Sequence, residues 1–138
     1  MQDDIIEQAI AFRAGDVTDP GLIADGVVAS LRLLHAELSL LVGAQAAAAL
    51  CSHAMHRTQS EVEWAVPRAA ALSESMLLAL RADLGARTPE QALFAGKTLL
   101  FALTDHLKSL IGEPLTTRML RSAWGTPAFD QISTEDIR

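Results

Sequence analysis

Apolar residues recur with helical spacing along two long stretches of the chain. Steps of four, four, three, four and three residues separate the members of the first stripe: Ile23, Val27, Leu31, Leu34, Leu38 and Leu41. This spacing places all six on one face of an α-helix. The second stripe has the same steps: Ala92, Gly96, Leu100, Leu103, Leu107 and Leu110. The pattern predicts two long amphipathic helices.

The second stripe lies 69 residues after the first, and the residues that bound the helices recur at the same offset. Pro20 maps onto Pro89, and Gly43 maps onto Gly112. A proline favours the first turn of a helix because its φ is preset, whereas a glycine just past the end tolerates positive φ. Because both signals recur together, we interpret the two halves as an internal repeat.

Helix starts and breaks predict six helices, approximately over 3–14, 20–42, 44–58, 68–84, 89–111 and 113–124. Asp19 is placed to cap the second of these helices. Thr88, with Gln91 three residues later, forms a capping box for the fifth. The chain length is that of one domain, so we expect a single all-α domain over 1–138.

The predicted architecture is a six-helix bundle built from two three-helix repeats, 1–69 and 70–138, related by a pseudo-twofold axis. A short tail, 125–138, follows the last helix. The two long helices are expected to pack side by side. Gly26 and Gly96 permit a close crossing between them, which offsets a cost of about 1 kcal/mol for a glycine inside a helix.

Composition supports the all-α prediction and suggests an oligomer. Half of the residues are hydrophobic, but only 4% are aromatic, and alanine and leucine dominate. Such a composition favours helix over sheet. The mean hydropathy of +0.24 is high for a soluble monomer of this size. It predicts an apolar surface covered by a second copy, and therefore a homodimer.

The formal net charge is −6, and the basic residues do not cluster. Nucleic acid is therefore not an expected partner. The single cysteine, Cys51, and an acidic N-terminus without a signal-peptide pattern favour the cytoplasm. The segment 38–56 has no formally charged residue, but it contains polar residues and is interrupted at Gly43. No membrane span is therefore expected.

His53 and His56 lie three residues apart on the third predicted helix, where they can share a ligand. Cys51 is not a natural third ligand, because residues two apart on a helix point about 200° away from each other. We therefore favour a structural cysteine and two boundary histidines over a metal site. No metal or cofactor is predicted.

His35 and His106 flank the apolar stripes of the long helices, a position that phosphotransfer histidines also occupy. Phosphotransfer domains usually place a lysine three residues after the histidine, whereas Lys108 follows His106 by two. In a second interpretation, an apolar pocket between helices binds a small molecule, and His35, His53 or His106 orients it.

Two further features of the last predicted helix are candidates for binding. Arg118 and Arg121, three residues apart, can hold an anion near the start of that helix, although a solvated polar face is the simpler interpretation. Trp124 is expected to fill the core, to contact a second protomer or to form a pocket wall.

No phosphate loop, nucleophile elbow or zinc-protease motif occurs in the sequence. The first hypothesis is therefore a non-enzymatic regulatory or protein-interaction protein, with a partner in signal transduction. The alanine-rich composition is typical of a GC-rich bacterial genome. The alternatives are a small-molecule or metal sensor with a pocket between helices, and a phosphorelay intermediate or enzyme that uses His35 or His106.

Overall fold

The computed structural model describes residues 2–15, 18–64 and 74–124, which form six helices and no strand. The helices are α1 (Gln2–Ala14), α2 (Pro20–Val42), α3 (Ala44–Arg57), α4 (Glu74–Gly85), α5 (Pro89–Ile111) and α6 (Glu113–Trp124). The predicted all-α helical bundle is confirmed. The predicted tail, 125–138, and the first residues predicted for the fourth helix, 68–73, lie outside the described residues.

The two long helices begin and end as their local sequences predict. The Asp19 carboxylate accepts a hydrogen bond from the Gly21 N–H at 2.8 Å and caps α2. Thr88 and Gln91 form both hydrogen bonds of a capping box at the start of α5. Both helices end at a glycine with positive φ, +93° at Gly43 and +90° at Gly112. The backbone conformation at these two positions explains why glycine recurs there.

Helix bounds recur at the 69-residue offset in the structure as well. α2 and α5 each have 23 residues, and α3 and α6 each begin directly after the glycine that ends the long helix. α3 packs against α5, and its counterpart α6 packs against α2, as a twofold relation predicts. A common origin for the two halves stays a prediction.

The first helices of the two halves depart from the twofold relation. α1 packs mainly against α2, but its counterpart α4 also packs mainly against α2 and less against α5. Ion pairs on the surface follow the same arrangement: Arg32 meets Glu74, and Arg81 meets Asp25. α4 therefore docks on the first long helix of the chain rather than on the helix that follows it.

The predicted stripes form the centre of the core, apart from their last members. The five preceding residues of each stripe are buried, whereas Leu41 is 47% exposed and Leu110 is 56% exposed. Both exposed leucines lie at the C-terminal ends of long helices. α5 contacts all five other helices, whereas Phe94 and Phe101 on its outer side are exposed.

The two mid-helix glycines serve different contacts. A Cβ atom on Gly96 would collide with a methyl group of Val27, so Gly96 does permit the close crossing of α2 and α5. Gly26 does not face that crossing, which corrects the prediction for this residue. A Cβ atom there would lie 2.7 Å from the carbonyl oxygen of Ile10 and 2.9 Å from the amide nitrogen of Ala14, both in α1. The Gly26 contact therefore joins α2 to α1.

The segment after α3 folds back on itself as far as the structure describes it. The indole N–H of Trp64 donates to the Thr58 hydroxyl at 3.0 Å, and the Arg87 guanidinium lies over the indole ring. Glu61 and Glu63 are exposed, as expected for a connector.

None of the described helices combines the length and the apolar character that crossing a bilayer requires. The segment 38–56, which has no formally charged residue, is divided between α2 and α3 at Gly43. This division agrees with the prediction of two successive helices.

Candidate functional site

Two histidines from different helices meet on the surface where α3 packs against α5. The ring centres of His53, on α3, and His106, on α5, lie 4.9 Å apart, and the ring planes are inclined by 47°. His53 is exposed and His106 is half-buried. Fifty-three residues separate the two in sequence, so packing of the two helices creates the pair.

The surroundings of His106 favour its neutral form. Partial burial lowers the pKa of His106 first of all, and the nearby His53 and Arg57 lower it further by charge repulsion. The carboxylate of Asp105 acts in the opposite direction. A neutral imidazole keeps one ring nitrogen free to accept a hydrogen bond or to coordinate a metal.

The contact that the structure describes for His56, which the sequence grouped with His53, is with Gln59. Its ring Nδ1 is 3.4 Å from the side-chain nitrogen of Gln59, and the ring is exposed. The partner that the structure provides for His53 is thus on another helix rather than one turn along the same one.

Cys51 is enclosed in the core, on a different side of α3 from His53. Burial raises the pKa of its thiol to about 12, so that the thiolate required for metal binding is scarce. Within the described ranges, no three His, Cys, Asp or Glu side chains come together as a metal site. The histidine pair is therefore the largest set of nitrogen ligands that this surface presents.

His35 is half-buried on α2, and its Nε2 atom is buried without a hydrogen-bond partner among the described residues. A phosphoryl group cannot reach a buried nitrogen without a movement of the surrounding residues. This geometry counts against Nε2 of His35 as a phosphorelay nucleophile, whereas the half-exposed ring of His106 has no such obstacle.

Trp124 is fully buried, so it fills the core, the first of the three places expected for it, and does not contact a second protomer or form the wall of a surface pocket. Its indole N–H donates to the Ser30 carbonyl at 3.0 Å, and its own carbonyl accepts from the Arg13 guanidinium at 2.8 Å. These bonds join the end of α6 to α2 and α1. Trp124 is therefore an anchor of the fold.

A second surface feature lies where α6 packs against α2. A groove of about 270 Å³ is lined by Glu37, Leu40, Leu41, Leu115, Arg118, Met119 and Ser122. Leu40 is 84% exposed, more than any other large hydrophobic residue in the described part of the chain. We refer to this feature as the α2–α6 groove. It combines apolar side chains with one acidic and one basic residue.

The two candidate anion-binding arginines have different surroundings. Arg118 lines the α2–α6 groove, which also contains the carboxylate of Glu37. Arg121 is exposed and is not among the residues that line this groove. Because the two arginines do not line one groove, the geometry offers no support for a shared anion site.

The third surface feature is a hollow of about 300 Å³ on the outer side of α5. Phe94, Phe101, Lys97, Thr98 and Glu61 line it. The two phenylalanines stand seven residues apart, so they lie on nearly the same side of the helix.

No protein-family model matches this chain, and no curated protein or solved structure does so either.

Sequence reasoning named both histidines of the α3–α5 surface but did not pair them. It also missed Glu37 and Leu40. The 69-residue offset contained a usable signal, because it maps Glu37 onto His106 and Ser122 onto His53. The groove and the histidine pair are thus at equivalent positions in the two halves.

Proposed function

We propose that this protein is a non-enzymatic, helical protein-interaction module whose α2–α6 groove binds a second copy of the chain. The exposure of Leu40, at 84%, supports this proposal most strongly. Burying a leucine side chain contributes about 1.5–3 kcal/mol, so a cluster of such residues on a surface favours association.

The groove has the composition of an interface centre with a polar margin. Leu41 and Leu115 are 47% and 37% exposed, and they stand beside Leu40. The high mean hydropathy of the whole chain, +0.24, is consistent with an apolar surface that a partner covers.

Charge complementarity favours a second copy as the occupant. Glu37 and Arg118 line the same groove, yet neither forms an ion pair within the described ranges. In a twofold interface, each contact between two different residues occurs twice, once in each direction across the interface. Such an arrangement lets Glu37 of each protomer meet Arg118 of the other.

The same proposal includes a role for the protein in the cell. A regulatory role beside a signalling partner in a bacterial cytoplasm follows from the composition and from the lack of recognised catalytic motifs in the sequence. The exposed leucines of the α2–α6 groove support this groove as the surface through which such a protein would act.

Light scattering after size-exclusion chromatography tests the proposal over a series of protein concentrations. We expect the wild type to have the mass of a dimer and Leu40→Lys to have that of a monomer, because the interface would have to bury an ammonium group. Leu78→Lys is the matched control, since Leu78 is 62% exposed on α4, away from the groove. It should remain dimeric.

Charge reversal tests the orientation of the two copies. Glu37→Lys and Arg118→Glu should each weaken the dimer, and the double variant should restore it, because the proposed pair is rebuilt with its signs exchanged. A wild-type protein that is monomeric at all concentrations would overturn the proposal. So would a Leu78→Lys variant that dissociates as readily as Leu40→Lys.

A further inference from the structure

We propose that His53 and His106 together bind a divalent transition-metal ion of the Zn²⁺ or Cu²⁺ type, with one ring nitrogen from each helix as ligand. This inference goes beyond the proposed dimer and does not depend on it, because it concerns the α3–α5 surface rather than the α2–α6 groove.

The distance between the rings fits a shared ion. Nitrogen ligands of zinc lie about 2.0–2.1 Å from the metal, so two imidazoles at a tetrahedral angle place their ring centres roughly 5 Å apart. The observed separation between His53 and His106 is 4.9 Å. Their 47° inclination also differs from the parallel arrangement of stacked rings.

The site is accessible to an ion from solvent. His53 is exposed and His106 is half-buried, so no helix has to move to admit a hydrated ion. Of the charged neighbours, Asp105 favours a bound cation and Arg57 opposes it.

The ligand set determines which ions the site can hold and how tightly. Two imidazoles suit Zn²⁺, Cu²⁺ and Ni²⁺, whereas Mg²⁺ and Ca²⁺ require oxygen ligands. A structural zinc site has four protein ligands, but the described residues offer only two here. The remaining coordination positions of the ion are open to water. We therefore expect an exchangeable ion that binds with modest affinity.

A bound ion would join α3 to α5. An ion that binds only the folded state raises the free energy of unfolding in proportion to the logarithm of its concentration. The site therefore has two readouts, the binding isotherm and the melting temperature.

Isothermal titration of the metal-free protein with ZnCl₂ alone tests the proposal. We expect His53→Gln and His106→Gln each to weaken zinc binding by about tenfold or more. The matched control is His56→Gln, which removes an exposed histidine one turn further along α3 and should leave the affinity unchanged. Circular dichroism establishes that each variant is helical before titration.

Thermal melting with and without ZnCl₂ gives an independent measurement. The melting temperature should rise with zinc in the wild type and in His56→Gln, and it should not respond in the other two variants. The proposal is overturned if millimolar zinc produces neither heat nor a shift. It is also overturned if His106→Gln keeps wild-type affinity, or if His56→Gln loses as much affinity as His53→Gln.

Discussion

The α2–α6 groove and the histidine pair between α3 and α5 occupy equivalent positions in the two halves, yet they present different chemistry. Glu37 and Ser122 stand in the first where His106 and His53 stand in the second. The same packing of a short helix on a long one therefore supports an apolar groove in one half and two imidazoles in the other.

Side-chain size explains part of this difference. In α6, Leu115 and Arg118 extend over the groove, whereas α3 has Ala46 and Ala49 at the corresponding positions. Alanine at these two positions leaves less apolar surface from α3 beside the histidine pair. The halves share a scaffold, and the residues exposed on it give the two surfaces their different chemistry.

The largest expected effect concerns the way in which the two short helices are anchored. Trp124→Ala should lower the free energy of unfolding by about 3–5 kcal/mol, because it empties a fully buried site and removes the hydrogen bond to Ser30. Met55, the counterpart of Trp124 in α3, is buried without such a bond. Met55→Ala should cost about 2 kcal/mol.

Urea denaturation of the two variants measures this difference. Equal losses would show that the two short helices are held alike, and the asymmetry described above would then be confined to their exposed surfaces.

A medium effect is expected where the long helices differ at equivalent positions. α2 has Gly26 where α5 has Ala95, so Gly26→Ala installs the residue of the other half. The added Cβ atom would meet the Ile10 carbonyl oxygen and the Ala14 amide nitrogen of α1. We expect a net loss of about 1–2 kcal/mol, because overpacking against backbone exceeds the gain in helix propensity.

The melting temperature of Gly26→Ala, compared with that of Ala29→Gly at a half-buried position on the same helix, tests this expectation. The control should lose about 1 kcal/mol through propensity alone. A Gly26→Ala variant more stable than the wild type would show that α1 moves easily and that the halves are interchangeable at this point.

The smallest expected effect is a pH dependence that arises from His106. The pKa of His106 in the fold lies below its ordinary value, so the unfolded chain binds a proton more readily between the two pKa values. Lowering the pH through that interval should therefore reduce the free energy of unfolding, and His106 should contribute no slope above it.

Urea midpoints of wild type, His106→Gln and His56→Gln, measured from about pH 8 to about pH 5 without metal, isolate the contribution. His106→Gln should flatten the pH dependence and His56→Gln should not. An unchanged slope in His106→Gln would assign the dependence to other groups and remove this distinction between the two surfaces.

Much of the fold could be predicted because its signals are local. Prolines, caps and glycines define the ends of α2 and α5, and the leucine spacing identifies their buried faces. The prediction failed for Leu41 and Leu110 because spacing describes which side of a helix is apolar but not how far along the helix its neighbours extend.

The candidate sites were less accessible to sequence reasoning. His53 and His56 are near each other along the chain, so local spacing grouped them, whereas His106 belongs to another helix. For Trp124, at the end of the last predicted helix, the sequence left the core, a protomer contact and a pocket wall open. Its burial depends on α1 and α2, which lie about a hundred residues earlier in the chain.

By itself, the sequence determined the six helices, their caps and the stripes that form the core, since each depends on backbone conformation and on periodicity within a few turns. Only the tertiary structure decided that Gly26 faces α1, that His53 meets His106, and that Leu40 is left uncovered. These features arise where helices distant in sequence pack together, and no local pattern records which side chains such packing brings into contact.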